Sequence, residues 1–110
     1  MHLTPDEEQW LAAYRAALED RHPGLVSRMV IYGSKARGED TPESDLDVLL
    51  LVKDEGGHLK RELRRLGHLL AAASEAAPSI MAYTETEWDQ RKASGSPFRQ
   101  AVERDGVAVL

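Results

Sequence analysis

Apolar positions along this chain alternate between helical and extended spacing from one end to the other. Thr4-Pro5-Asp6-Glu7 carries a helix-start signal: a capping threonine, a proline suited to the first turn, and a glutamate placed to close a capping box. The pattern behind it predicts a helix to about Asp20, ending before His22-Pro23-Gly24. Leu11, Tyr14 and Leu18 form its apolar stripe with Trp10 and Ala17 beside it, and Glu8, Gln9, Glu19 and Asp20 lie opposite. Residues 25–32 read as a strand running into Gly33-Ser34, followed by a short helical or looped segment that Pro42 stops. Residues 45–53 read as a second strand. Its near-continuous apolar run, Leu46 to Val52, is that of a buried strand in a mixed or parallel sheet.

A turn at Asp54-Glu55-Gly56-Gly57 precedes Leu59, Leu63, Leu66, Leu70, Ala73 and Ala77, spaced alternately by four and three. That spacing predicts a helix of about 20 residues with one face on a sheet, stopped by Pro78. Residues 79–83 read as a third strand, and Thr84-Glu85-Thr86-Glu87 as a second capping box opening a helix that holds Trp88. Ser96 caps a helix through Phe98, Ala101 and Val102 to Arg104, and residues 107–110 form a short last strand. The expectation is an α/β (α+β) fold in a single domain, residues 1–110, with a small mixed sheet and helices packed mainly on one face.

A length of 110 residues and 42% hydrophobic content suffice for one core and leave no room for a second, so a catalytic cleft is expected to be shallow or completed by a partner. The absence of cysteine excludes disulfides and thiolate metal sites. The N-terminal residues lack a basic region followed by an apolar stretch, and no apolar run approaches a membrane span, so the expected location is cytoplasmic, with no membrane association. A net charge of −5 opposes sequence-independent binding to nucleic acid. Lys60, Arg61, Arg64 and Arg65, with His68 nearby, cluster locally and read as a solvated helix face. The histidines show no metal-ligand spacing, and Trp10, Trp88 and Phe98 read as packing anchors.

The candidate chemistry lies in the middle of the chain. Gly33-Ser34 follows an apolar run, where a small residue and a hydroxyl let backbone N–H groups approach an anion closely at a strand-to-helix turn. After ten intervening residues come Asp45 and Asp47, which as i and i+2 of a strand project to one face. Two like charges so placed are unfavourable unless a cation neutralises them, and hard oxygen ligands beside phosphate favour Mg²⁺ or Mn²⁺. The bland alternative is a Gly-Ser hairpin turn before an edge strand with two exposed aspartates. The buried character of residues 46–52 argues against it.

Tyr32, Gly33-Ser34 and Asp45-Leu46-Asp47-Val48 together resemble the signature of the DNA polymerase beta-like nucleotidyltransferase superfamily. The extension Ser34-Lys35-Ala36-Arg37-Gly38 and the short length resemble its minimal nucleotidyltransferase (MNT) subgroup. The resemblance implies the polymerase-beta-like fold and Asp45 and Asp47 as catalytic metal ligands. It also implies a triphosphate held by Gly33 and Ser34, with Lys35 or Arg37 adding charge. Arg37 equally well braces the loop through Glu39 or Asp40, and Ser44 is expected to orient Asp45. The family's third carboxylate, from the next sheet strand, has no counterpart in residues 79–83, and Glu75, Glu85 and Glu87 flank that strand without matching it. The implied activity is transfer of a nucleotide, AMP from ATP, to a hydroxyl on a helical HEPN partner, as an antitoxin. The alternative is a degenerate nucleotide- or metal-binding module that masks its partner.

Overall fold

The computed structural model describes residues 1–110. Helix α1, Pro5–Arg21, opens on the expected capping box: the Glu7 N–H donates to Thr4 Oγ1 at 3.1 Å and the Thr4 N–H to Glu7 Oε1 at 2.9 Å. Strand β1, Val26–Tyr32, leads through Gly33 into the single turn α2, Ser34–Arg37. Strand β2, Leu46–Val52, is followed by a 3-10 segment, Asp54–Leu59, and helix α3, Lys60–Ala71. Strand β3 is Pro78–Thr84, helix α4 Glu85–Ala93, helix α5 Pro97–Asp105 and strand β4 Val107–Ala108. Thr84 with Glu87, and Ser96, cap α4 and α5 as the residue pattern predicts.

The sheet order is β3-β2-β1-β4, with β2 parallel to β3 and β1 antiparallel to both β2 and β4. The sheet is therefore mixed, as expected, and β2 is an interior strand. Alternation of side chains divides it into two faces. Leu46, Val48, Leu50 and Val52 join Met29 and Ile31 of β1, Trp10, Leu11, Tyr14 and Leu18 of α1, and Leu63 of α3 in the larger core. Leu49 and Leu51 turn the other way, with Val30, under Trp88 of α4 and Val102 of α5. The main helical layer thus covers one face, and the shorter pair α4 and α5 covers part of the other. Burial on both sides is the reason β2 is apolar at nearly every position.

Two aromatic side chains lock α1 to α3. Trp10 Nε1 donates to the Gly67 carbonyl at 2.9 Å, and Tyr14 Oη to the Leu63 carbonyl at 2.6 Å. Gly67 is required there because a Cβ would run into Ile80 and the Tyr14 ring. Truncating either aromatic to alanine would remove a buried ring and its hydrogen bond, a loss of about 3–5 kcal/mol.

Helix α3 is shorter than its periodicity predicts, ending at Ala71 rather than at Pro78. A parallel β2–β3 pair needs a crossover that brings the chain back to the starting end of the sheet. Residues 72–77 make that return, and the Ala77 carbonyl accepts the Leu46 N–H at 3.0 Å as the pairing begins. The alanines here have helical propensity, and the crossover overrides it. No helix is long and apolar enough to cross a membrane.

Candidate active site

The site forms where β1 ends and β2 begins. Gly33 sits at φ +75°, ψ −155°, a conformation open essentially to glycine alone. A Cβ at this position would collide with Asp47 Oδ2. Glycine therefore lets the backbone of the turn pass directly beside the Asp47 carboxylate. Ser34 follows, half-buried, and Gly38 in the left-handed region closes the turn after Arg37.

Asp47 is the second residue of β2, paired with Tyr32 across the antiparallel ladder and with Ser79 across the parallel one. Asp45 lies one residue before the strand and is exposed, so the ordered ladder begins slightly later than expected. The two carboxylates still feel each other. Burial first, and then the Asp45 charge, raise the Asp47 carboxyl above its ordinary value, while Arg37 works against the rise. The Tyr32 hydroxyl is pushed up to about 12, chiefly by burial and then by Asp47 and Tyr83. This corner therefore disfavours further negative charge unless a cation enters.

Arg37 lies exposed at the rim, where its Nε donates to Glu39 Oε2 at 3.0 Å. Its charge also reaches Asp47, so both of its expected roles are compatible with its position. Lys35 corrects an expectation. Its Nζ is buried, 3.0 Å from Glu7 Oε1 and 3.4 Å from Asp40 Oδ2, and does not join the turn's outer face. Residues i and i+2 of a helical turn do not face the same way, so Arg37 at the rim sends Lys35 inward against α1. Burial depresses the Lys35 ammonium, but the hydrogen bond and charge of Glu7, with those of Asp40, outweigh it and leave the group raised. Glu7 thus serves both the capping box and the turn that follows Gly33. Sequence spacing carries no signal for that second role, because Glu7 already has a complete local explanation in α1.

Ser44 is also corrected: its Oγ accepts the Thr41 N–H at 2.9 Å and ties the Thr41–Ser44 turn instead of orienting Asp45. The register of β3 shows what stands where a third acid would be. Ser79 is beside Asp47 and exposed Met81 beside Leu49. Glu87 is held by its capping box and by Lys60 Nζ at 2.8 Å, and Glu85 is exposed at the start of α4. No group of three or more His, Cys, Asp or Glu side chains is arranged to hold a metal ion. The donor set is the mutually repelling Asp45 and Asp47 beside the Gly33-Ser34 turn. It suits a divalent cation that takes its remaining ligands from phosphate and water.

On the same face Phe98 packs edge-on against Tyr32, ring centroids 5.5 Å apart, and lies 6.2 Å from Tyr83, over which Arg91 stacks at 4.7 Å. Phe98 and Trp88 are packing anchors, as expected, and the tyrosines extend that aromatic layer to the edge of the carboxylate site. Two open clefts lie elsewhere: one of about 420 Å³ involves Ala12, Leu18, Val26 and Leu110, and one of about 480 Å³ involves His58, Arg61 and Arg65.

The chain belongs to the nucleotidyltransferase domain family, whose profile matches residues 11–94. A Methanocaldococcus jannaschii protein, provisionally designated a protein adenylyltransferase, is 35% identical over 46 residues, which make up 42% of this chain and 46% of that protein. The chain thus matches a little under half the length of that relative. A provisionally designated nucleotidyltransferase from Sulfolobus solfataricus superposes with a TM-score of 0.58 at 19% identity, covering 91% of this chain and 76% of that one. A mutant of the MntA-HpeT toxin-antitoxin pair superposes with a TM-score of 0.57 at 24% identity, covering 99% and 73%. At these identities the two structures speak for the fold.

Proposed function

We propose that residues 1–110 act as one cytoplasmic nucleotidyltransferase unit that moves AMP from ATP to a hydroxyl of a helical, HEPN-type partner protein, as an MNT-type antitoxin. The observation that carries this reading is the meeting of turn and carboxylate: Gly33 admits the backbone to the edge of Asp47 where any side chain would collide. The names borne by similar proteins, a protein adenylyltransferase and a toxin-antitoxin pair, support the acceptor class.

In this reading Gly33 and Ser34 hold the β- and γ-phosphates, and Arg37 adds positive charge at the rim. Asp45 and Asp47 would hold Mg²⁺ (or Mn²⁺), which would offset the charge of the phosphates and of the transition state. The acceptor oxygen attacks the α-phosphorus in line, forming a new P–O bond as the bond to the bridging oxygen breaks. Pyrophosphate leaves with the electron pair. With Ser79 beside Asp47, the hydroxyl proton passes to water or to a carboxylate of the partner.

Incubating the protein with ATP labelled on its α-phosphate, Mg²⁺ and a candidate HEPN protein tests this, with Asp45→Asn/Asp47→Asn as control. Label on the partner that requires both aspartates is the expected result. Ser79 in place of an acid favours a second reading, a nucleotide-binding module that neutralises its partner by masking it. Complex formation and Mg²⁺-dependent ATP binding without label would establish that one instead.

A further inference from the structure

The outer side of α3 concentrates positive charge that the fold leaves uncompensated. Arg28, Lys35, Arg37, Lys60 and Arg104 each pair with a carboxylate. Arg15, Arg21, Lys53, Arg91, Lys92 and Arg99 make no ion pair, but Arg61, Arg64 and Arg65 lie together, without ion pair or side-chain hydrogen bond, on a chain whose net charge is −5. Arg61, Arg64, Arg65 and His68 line an open cleft of about 380 Å³ with Ile80 of β3. His58 extends the ridge at its other end, beside Arg61, Arg65 and Glu62, the one carboxylate lining either cleft. Like charges this close repel, so the isolated chain is destabilised by the ridge and a negative partner relieves it.

The ridge borders an open edge. Strand β3 ends the sheet, so its outer edge has no neighbour. Ile80 faces the cationic cleft, while Ser79 and exposed Met81 lie on the opposite face beside Asp47 and Leu49. A protein covering this edge would touch the arginines on one side and reach the carboxylate site on the other.

We propose that the α3 ridge and the free edge of β3 form the docking surface for the acceptor protein, and that the acceptor presents an acidic face to it. The proposal rests on the reading that the acceptor is a protein. A compact acidic face meets only the ridge, whereas a long polyanion would run on past the acidic remainder of the chain, including Asp6 and Glu8 of α1. The charge balance therefore favours protein over nucleic acid.

A short fluorescein-labelled poly-L-glutamate, compact enough to lie within the ridge, is the probe, with an oligouridylate of equal length beside it, at low ionic strength. The intact protein is expected to bind poly-L-glutamate in a salt-dependent manner. Arg61→Glu/Arg65→Glu is expected to weaken that binding on the order of tenfold, with a thermal midpoint no lower than that of the intact protein. Arg64 is left in place because its charge acts on buried Tyr14. Arg61→Gln/Arg65→Gln, with a smaller loss, replaces the reversed variant if that fails to fold. Absent binding, equal binding by the variants, or tighter binding of oligouridylate would overturn the proposal. Asp45→Asn/Asp47→Asn, which removes negative charge, should bind poly-L-glutamate no more weakly than the intact protein does. A negative result in the nucleotide-transfer assay would therefore leave the docking result standing.

Discussion

Gly33 and Asp47 share one space: Asp47 Oδ2 lies where a Cβ on residue 33 would be, and the φ of +75° at Gly33 keeps the turn in that path. Gly33→Ala must therefore strain the backbone by about 1–3 kcal/mol and displace the carboxylate as well. The expected outcome is a folded protein with a lowered thermal midpoint and no Mg²⁺-dependent ATP binding by calorimetry. Normal ATP binding by this variant would remove Gly33 from the site.

Asp47 is the destabilising member of the carboxylate pair. Its carboxyl is held above the ordinary value, by burial and by Asp45, so ionising it near neutral pH opposes folding. Asp47→Asn should raise the thermal midpoint slightly in chelator and abolish the gain that Mg²⁺ with ATP gives the intact protein. A midpoint that falls in chelator would mean Asp47 makes a favourable contact instead.

Lys35 and Glu7 form a buried pair at 3.0 Å that joins α2 to α1. Removing one partner strands the other's charge, a loss of about 3–5 kcal/mol for a fully buried pair. Lys35→Met should lower the urea midpoint markedly and weaken ATP binding through the loosened turn. Lys35→Arg should restore part of both. Loss of ATP binding with unchanged stability would instead place the lysine on the phosphates.

Ser79 is beside Asp47 in the parallel ladder, on the strand where the family places its third acid. Ser79→Asp should raise the rate of nucleotide transfer to a protein acceptor by about tenfold or more, the general-base contribution being typically larger still. An unchanged or lower rate, with the fold intact by circular dichroism, would show that the proton leaves by another route.

Two carboxylates tie the smaller helical layer to the rest. Glu87 is held below its ordinary value of 4.5 by the hydrogen bond from Lys60 and then by the Thr84 N–H. Glu103 is held down by Trp88 Nε1 at 2.9 Å and by Arg28 at 3.1 Å. Depressed values mean that the unfolded chain binds more protons through this range, so the stabilisation is complete above the ordinary value and lost as pH falls through the folded ones. The thermal midpoint should fall steeply below about pH 4.5. Glu87→Gln and Glu103→Gln should each flatten that fall.

Local chemistry was legible from residue order: Thr4 with Glu7, Thr84 with Glu87, and Ser96 are caps whose partners lie within one turn. The apolar run of β2 carried its burial, and the contrast of Gly33-Ser34 with Asp45 and Asp47 carried the family. These signals are short-range, so a few neighbouring residues specify them. What lay beyond them depended on chain return and on side-chain direction. Helix α3 stops at Ala71 because a parallel neighbour must be reached, and no local residue forces that end. Lys35 turns away from the outer face of α2 to Glu7 because rotation around one helical turn sends it inward, 28 positions from its partner in the chain. The same is true of Ser79 beside Asp47 and of the uncovered β3 edge below the arginine ridge: register and strand order, which form only when distant segments pack, put them there.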